Sequence, residues 1–303
     1  MGLLDGKVAI VTGSGRGIGR GIALAMAAEG AKVVVNDYGV KLDGTEPTGG
    51  PADEVVEEIK KAGGAAVANY DTVATVEGGE NIIKTAIDNF GRLDILVNCA
   101  GILRDRMFFN MSEEEWDAVI ATHLKGTFCT SKPACVLFRQ QGSGRIINFS
   151  STSGLVGNAG QANYGMAKGG ISGFTKVVAR DMGRYGVTCN AVVPTASTRM
   201  TATIARPGAP PAPAGPPSWQ QAPEAVAPIV VWLASDQAAN INGQFFGASG
   251  GTISLYSQPR PIVGIYKDIE KDGFWTLDEL DQIAPRTVAA NLPNPAPPQP
   301  PQQ

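Results

Sequence analysis

Histidine occurs once in this 303-residue chain, and that scarcity removes much metal and hydrolytic chemistry at the outset. A histidine-rich metal site has no ligands, and a nucleophile-histidine-acid relay would hang on His123 alone with no nucleophile elbow beside it. The four cysteines, at 99, 129, 135 and 189, lack paired ligand spacing and fall inside apolar segments, so they read as reduced core thiols. No run approaches the roughly 20 apolar residues of a membrane helix. Met1-Gly-Leu-Leu-Asp-Gly-Lys7 lacks the charged and apolar regions of a secretory leader, which predicts a cytoplasmic protein. A net charge of −3 gives no basic footprint for nucleic acid.

What is abundant is apolar patterning: 43% of the residues are hydrophobic and only 17% charged, enough for one large, well-buried α/β core. Strand-like runs recur at Val8–Val11, Lys32–Asn36, Ala65–Tyr70, Ile95–Val97, Arg145–Phe149, Val187–Val193 and Gln244–Phe246, and helical stretches separate most of them. Such alternation predicts a doubly wound, Rossmann-type parallel sheet in a single domain, because right-handed crossovers lay helices on both faces. The first strand runs into Gly13, Gly17 and Gly19, and a helix begins there. These glycines permit a tight turn and let a diphosphate approach backbone N–H groups at a helix N-terminus.

Tyr164 and Lys168 lie four residues apart in Asn163-Tyr-Gly-Met-Ala-Lys168, which places them on one helix face, and Ser151 ends an apolar run upstream. An ammonium beside a phenol favours the phenolate, so Lys168 is expected to bring the Tyr164 pKa down toward neutrality and make it an acid/base for an alcohol and its carbonyl. Asp37 ends the second strand; a carboxylate there can accept hydrogen bonds from both ribose hydroxyls of an adenosine and would repel a 2′-phosphate. NAD is therefore expected over NADP, with the guanidinium of Arg16 the feature that pulls the other way.

Thr12-Gly-Ser-Gly-Arg-Gly-Ile-Gly19, Asn98-Cys-Ala-Gly101, Ser151, Tyr164 with Lys168, and Asn190-Ala-Val-Val-Pro194 occur in that order, and over residues 5–255 the chain resembles the short-chain dehydrogenase/reductase family. The resemblance implies that hydride passes between a nicotinamide and a carbinol carbon while Tyr164 moves the hydroxyl proton. Ser151 would hold the same oxygen and Lys168 the nicotinamide ribose. It implies further that Gly13, Arg16, Gly17, Ile18 and Gly19 cradle the dinucleotide, that Asp71 binds the adenine amino group, that Asn98, Ala100 and Gly101 line the adenosine ribose, and that Thr198 contacts the carboxamide. His123 stands where the family usually has an asparagine that holds a water in a proton relay to the lysine; histidine there either keeps that water through its backbone, joins the relay through its ring, or is a passive, satisfied side chain.

His123, Val34-Val-Asn-Asp-Tyr-Gly39, Ile102-Leu-Arg-Asp-Arg106 and the insertion at 39–51 look like the dehydrogenase unit of multifunctional β-oxidation enzymes. That likeness implies a (3R)-3-hydroxyacyl-CoA or a 17β-hydroxysteroid as substrate. An NADPH-dependent 3-oxoacyl-thioester reductase and a non-enzymatic dinucleotide sensor are the alternatives; Asp37 argues against the first, and the intact Ser151, Tyr164 and Lys168 against the second. The expected organisation is a dehydrogenase domain over 1–255 with a proline-rich lid at 205–218, an extension at 256–284 with a short helix, and a disordered proline-rich tail at 285–303. Asp268 to Glu279 has acids at positions one, five and twelve and glycine at six of a calcium loop, but Thr276-Leu-Asp-Glu279 reads more simply as a helix-capping box, and no metal is expected. Gly165, Gly169 and Gly173 form a small-residue face on the Tyr164 helix, which predicts close approach of a second helix in a homodimer or homotetramer.

Overall fold

The computed structural model describes residues 2–41, 44–45, 50–196, 222–259 and 261–290. Thr198 and the segment 205–218 lie outside the described residues, as do 291–303 of the tail. Contacts divide the chain into two units, Met1–Tyr256 and Ser257–Gln303.

The first unit is built on an eight-stranded sheet: β1 (Val8–Thr12), β2 (Lys32–Asn36), β3 (Ala65–Asn69), β4 (Ile95–Asn98), β5 (Gly144–Phe149), β6 (Val187–Pro194), β7 (Phe245–Ser249) and β8 (Thr252–Leu255). Their order is β3-β2-β1-β4-β5-β6-β7-β8. All neighbouring pairs are parallel except β7 with β8. The central strands are buried along their whole length, which is why they read as unbroken apolar runs rather than alternating ones. Strand β8 is missing from the sequence reading: Thr252-Ile-Ser-Leu255 alternates, but over four residues only, and all four are exposed.

Among the described residues the unit also has helices α1 (Gly17–Ala28), α2 (Gly50–Lys61), α3 (Val76–Phe90), α4 (Glu113–Ile120), α5 (Gly126–Gln141), α6 (Thr152–Leu155), α7 (Ala162–Gly183) and α8 (Ala227–Ala234). They bury two main apolar clusters: Ile22, Met26, Val55, Ile59 and Val230 pack with β1, β2 and β4 in one, while Ile82, Ile83, Phe138 and Met182 pack with the sheet in the other. Strand order reverses between β1 and β4, so the crevice beyond their carboxyl ends is where a doubly wound sheet takes a ligand.

Between α4 and α5 the chain makes a π-helical turn, Ala121–Lys125. One extra residue is accommodated there without breaking the helical rod, and it turns the His123 ring inward.

In the second unit, Asp268 caps α9 (Ile269–Asp272) by accepting from the backbone N–H groups of Glu270 and Lys271. The capping box expected at α10 (Leu277–Ile283) is present: Thr276 accepts from the Glu279 amide and the Glu279 carboxylate accepts from the Thr276 amide. Glu279 also binds the Lys267 ammonium at 2.7 Å, so the twelfth position of the calcium-like loop is turned onto a cation of its own chain.

Candidate active site

A cleft of about 510 Å³ opens at the carboxyl ends of the strands, lined by Gly13, Arg16, Gly17, Ile18, Gly19, Asp37, Asp71, Ala100, Gly101, His123, Tyr164 and Lys168 among others. The glycine turn forms because Gly13 has a left-handed φ of 64° and because a Cβ on it would lie 2.6 Å from Ala100 Cα. Thr12 joins the two strands that frame the crevice: its hydroxyl accepts from the amides of Cys99 and Ala100, both at 3.1 Å. The backbone can therefore come close to an elongated diphosphate, and the residues present fit a nicotinamide dinucleotide.

Asp37 is tied down before any ligand arrives. Its Oδ2 accepts from the Gly15 amide at 2.8 Å and its Oδ1 from the Gly39 amide at 2.8 Å. Each carboxylate oxygen has a second lone pair, so both can still accept from a ribose hydroxyl. Asp71 is placed similarly, accepting from Asn69 at 2.7 Å and Asn81 at 3.2 Å.

Asn98 departs from its expected place. It is 7% exposed, its amide donates to Ser131 and Asn148, and its oxygen accepts from Thr130 at 2.7 Å. Its side chain locks β4 to α5 and β5 below the cleft, and the cleft is lined by Cys99, Ala100 and Gly101 instead.

Tyr164 and Lys168 lie on one face of α7, as their spacing requires, with the Lys168 ammonium 5.5 Å from the centre of the Tyr164 ring. Lys168 Nζ donates to the Phe149 carbonyl at 2.7 Å, which fixes a long flexible side chain against the end of β5. Burial lowers its pKa to about 8.

Tyr164 contradicts the expected direction. Burial pushes its pKa up to about 12, and the opposing influence is a hydrogen bond from Ser151 rather than the charge of Lys168. The ammonium lies 5.5 Å from the centre of the ring, and the loss of water around the phenolate sets the direction. The free chain thus holds Tyr164 as a neutral phenol, ready to donate.

Ser151 caps α6, and its Oγ accepts from the Ser153 amide at 3.1 Å. From there a polar chain runs outward: Ser153 Oγ donates to Gln161 at 2.7 Å, and Gln161 donates to Asp105 at 2.8 Å. Asn163 pins the start of α7 by donating to the carbonyls of Arg104 and Glu115 and accepting from the Tyr164 amide. Gln161 and Asp105 fall in segments that carry the family likeness, yet the sequence reading gives neither a role at the site.

His123 is 2% exposed, and its ring meets that of Tyr164 edge to face at 5.1 Å between centres. Its Nε2 lies 2.8 Å from the Ile102 carbonyl oxygen and 3.1 Å from the Ile102 amide. Its own carbonyl accepts from Thr127 Oγ1 at 2.8 Å. Burial and the nearby Lys168 charge lower its pKa to about 3, so the ring is neutral near neutral pH.

The glycine face on α7 divides. A Cβ on Gly165 or Gly169 would meet the carbonyls of Ser153 and Gly154, at 2.9 and 3.1 Å, so those two glycines receive α6 of the same chain. Gly173 alone faces open space.

The order of strands, the glycine turn, and a half-buried phenol and buried ammonium lining one cleft, with the Ser151 hydroxyl beside the phenol, define a dinucleotide-dependent oxidoreductase. The model of the short chain dehydrogenase family matches residues 7–207, and the chain belongs to that family. It is 43% identical over 265 residues to mouse peroxisomal multifunctional enzyme type 2, covering 87% of this chain and 34% of that protein. To the hydroxyacyl-CoA dehydrogenase ChsB1 of Mycobacterium tuberculosis it is 44% identical over 264 residues, covering 84% of this chain and 81% of that one. A solved short chain dehydrogenase from Mycobacterium avium superimposes with a TM-score of 0.82 at 47% identity, covering 96% of this chain and 98% of that chain. The chain thus spans about a third of the mouse multifunctional enzyme and most of ChsB1. Among the described residues no helix is long and apolar enough to cross a membrane.

Proposed function

We propose that this chain is an NAD-dependent dehydrogenase of (3R)-3-hydroxyacyl-CoA thioesters or 17β-hydroxysteroids, working in the cytoplasm. The observation that carries the reading is that Tyr164, with Ser151 hydrogen-bonded to it, and Lys168 line the same cleft in which Asp37 keeps lone pairs for a ribose. The name of the relative ChsB1 supports the hydroxyacyl-CoA part of that substrate class. The expected lid at 205–218 and the role of Thr198 stay part of this proposal.

Gly13 to Gly19 would hold the diphosphate, Asp37 the adenosine ribose and Lys168 the nicotinamide ribose. When bound, the nicotinamide supplies a carbon that accepts or gives hydride. In the oxidative direction Tyr164 would first give its own proton to solvent, and its phenolate would then take the substrate's hydroxyl proton as the carbinol C–H bond breaks and the hydride leaves for the nicotinamide. In the reductive direction the neutral Tyr164 donates its proton to the carbonyl oxygen. Ser151 donates to that same oxygen and steadies the charge developing there. Because burial holds the Tyr164 proton tightly, oxidation should speed up as pH rises from neutral, until Lys168 loses its charge above about 8.

The apolar rim beside the catalytic helix suits a long acyl chain or a steroid. Met107, Phe108 and Phe109 are exposed in the segment whose Arg106 amide donates to Gly160 at 2.8 Å, and Leu155 and Val156 are exposed just after Ser151. We infer also a homo-oligomer, with Phe128 and Val136 of α5 and Met166, Gly173 and Val177 of α7 as the apolar positions that a second copy would cover.

Initial rates with NAD and NADP against medium-chain, long-chain and steroid-bearing 3-hydroxyacyl-CoAs test the reading. Oxidation of the (3R) thioesters with NAD at far greater kcat/KM than with NADP is expected. Turnover confined to NADPH and 3-oxoacyl thioesters would overturn it in favour of a reductase.

A further inference from the structure

Three residues, Arg104, Asp105 and Arg106, are stapled across the start of α7. Asn163 donates to the Arg104 carbonyl at 2.9 Å, the Arg106 amide donates to the Gly160 carbonyl at 2.8 Å, and Arg106 pairs with Gln161 in an isolated parallel bridge. The flanking cations turn to α4: the Arg106 guanidinium meets the Glu115 carboxylate at 2.7 Å, and Arg104 donates to the Glu114 carbonyl at 3.4 Å. Asp105, between them, turns to α7, where Gln161 donates to its carboxylate at 2.8 Å.

Gln161 is 3% exposed, and its amide can face only one way. An ionised carboxylate accepts and cannot donate, so the Gln161 NH₂ points at Asp105. The amide oxygen then accepts from Ser153 Oγ at 2.7 Å and from Asn158 Nδ2 at 3.0 Å. Held in this way, Ser153 keeps its backbone amide on Ser151 Oγ at 3.1 Å. Ser151 thus accepts from the protein and retains its own hydrogen for the reacting oxygen. The polarity of the whole chain of bonds begins at the Asp105 carboxylate.

The same carboxylate bears on Tyr164 by charge. Gln161 stands at the N-cap of α7, three residues before Tyr164, so the anion it holds lies close to the phenol and helps to keep its proton in place. Of the other titratable groups around that phenol, burial keeps the Cys99 thiol protonated with its pKa up at about 12, His123 is neutral and Lys168 is a cation. Partial loss of water raises the pKa of Asp105 itself and the Gln161 donor opposes that rise.

We propose that Asp105 is a positioning residue for the reaction: through Gln161 it fixes the turn that presents Ser151, and its negative charge opposes loss of the Tyr164 proton. This deepens the dehydrogenase reading and rests on it for the reacting alcohol. One ion performs both tasks, so a neutral acceptor at 105 separates them.

Asp105 is exposed, and its replacement leaves the core intact. Asp105→Asn keeps an acceptor for Gln161 and removes the charge. In full-length free protein labelled at tyrosine ¹³Cζ, with the Tyr164 signal assigned by its absence from Tyr164→Phe, Asp105→Asn should bring the alkaline onset of ionisation down by about half a pH unit, as for one nearby charge under partial screening. That change divides between more phenolate and a weaker base, so kcat/KM should rise about twofold. Oxidation and reduction should rise by the same factor, because the equilibrium at fixed pH belongs to the reactants. Asp105→Ala removes the acceptor as well, and its kcat should lie about fivefold below that of Asp105→Asn, as for the loss of one ordinary hydrogen bond, with KM for NAD unchanged. An unmoved Tyr164 onset in Asp105→Asn would overturn the role of the charge, and equal kcat in the Asn and Ala variants would overturn the role of the acceptor. A moved onset in a chain that oxidises no hydroxyacyl-CoA would leave Asp105 standing and remove the proposed substrate.

Discussion

Replacing Asp37 with alanine separates two jobs that one carboxylate performs. In the free chain its oxygens accept from the amides of Gly15 and Gly39 at 2.8 Å each, and the position is only half-buried, so water can replace it there and the fold should survive. In the complex it would add two bonds from ribose hydroxyls. A hydrogen bond to a charged group is worth about 1.5–3 kcal/mol, and taking the lower figure for each, the loss of two comes to about 3 kcal/mol, or about 150-fold in Kd. NADH binding should weaken by that order, while NADPH binding should weaken far less or improve, since removal of the carboxylate also removes repulsion of the 2′-phosphate. Asp37→Asn keeps one acceptor oxygen and should fall between. Fluorescence titration of both reduced dinucleotides, with circular dichroism to check folding, gives the answer directly. Wild-type protein that binds NADPH as tightly as NADH, or Asp37→Ala protein with an unchanged Kd for NADH, would refute the reasoning.

Tyr164→Phe should abolish nearly all turnover while leaving the Kd for NADH within a few-fold, because the phenol serves the proton; Lys168→Ala should damage both, and stopped-flow rates with parallel binding titrations distinguish the two. Gly173→Leu should shift the protein toward monomer in sedimentation velocity, since Gly173 is the glycine of its face that meets nothing in its own chain. Gly169→Leu would instead drive its side chain into Gly154 of the same chain and is expected to lower the melting temperature whatever the assembly.

Local spacing determined a large part of this protein. Fully buried parallel strands must be continuous apolar runs, so β1, β2, β4, β5 and β6 are readable one at a time, and the strand-glycine-helix succession from Val8 to Ala28 places the dinucleotide turn. Residues four apart on a helix must share a face, so Tyr164 and Lys168 could be paired without coordinates. Burial, by contrast, is a property of what comes from elsewhere in the chain. Sequence spacing predicted a lowered pKa for Tyr164, and the packing of Ile102, Val119 and His123 around it raised it to about 12. Asn98 and Gly169 sit in motifs that suggested a ligand and a partner helix, yet β5 claims the one and α6 the other. The one histidine was visible at once as a departure, but only the fold could show that Ile102 holds one of its nitrogens and that the other is left without a partner.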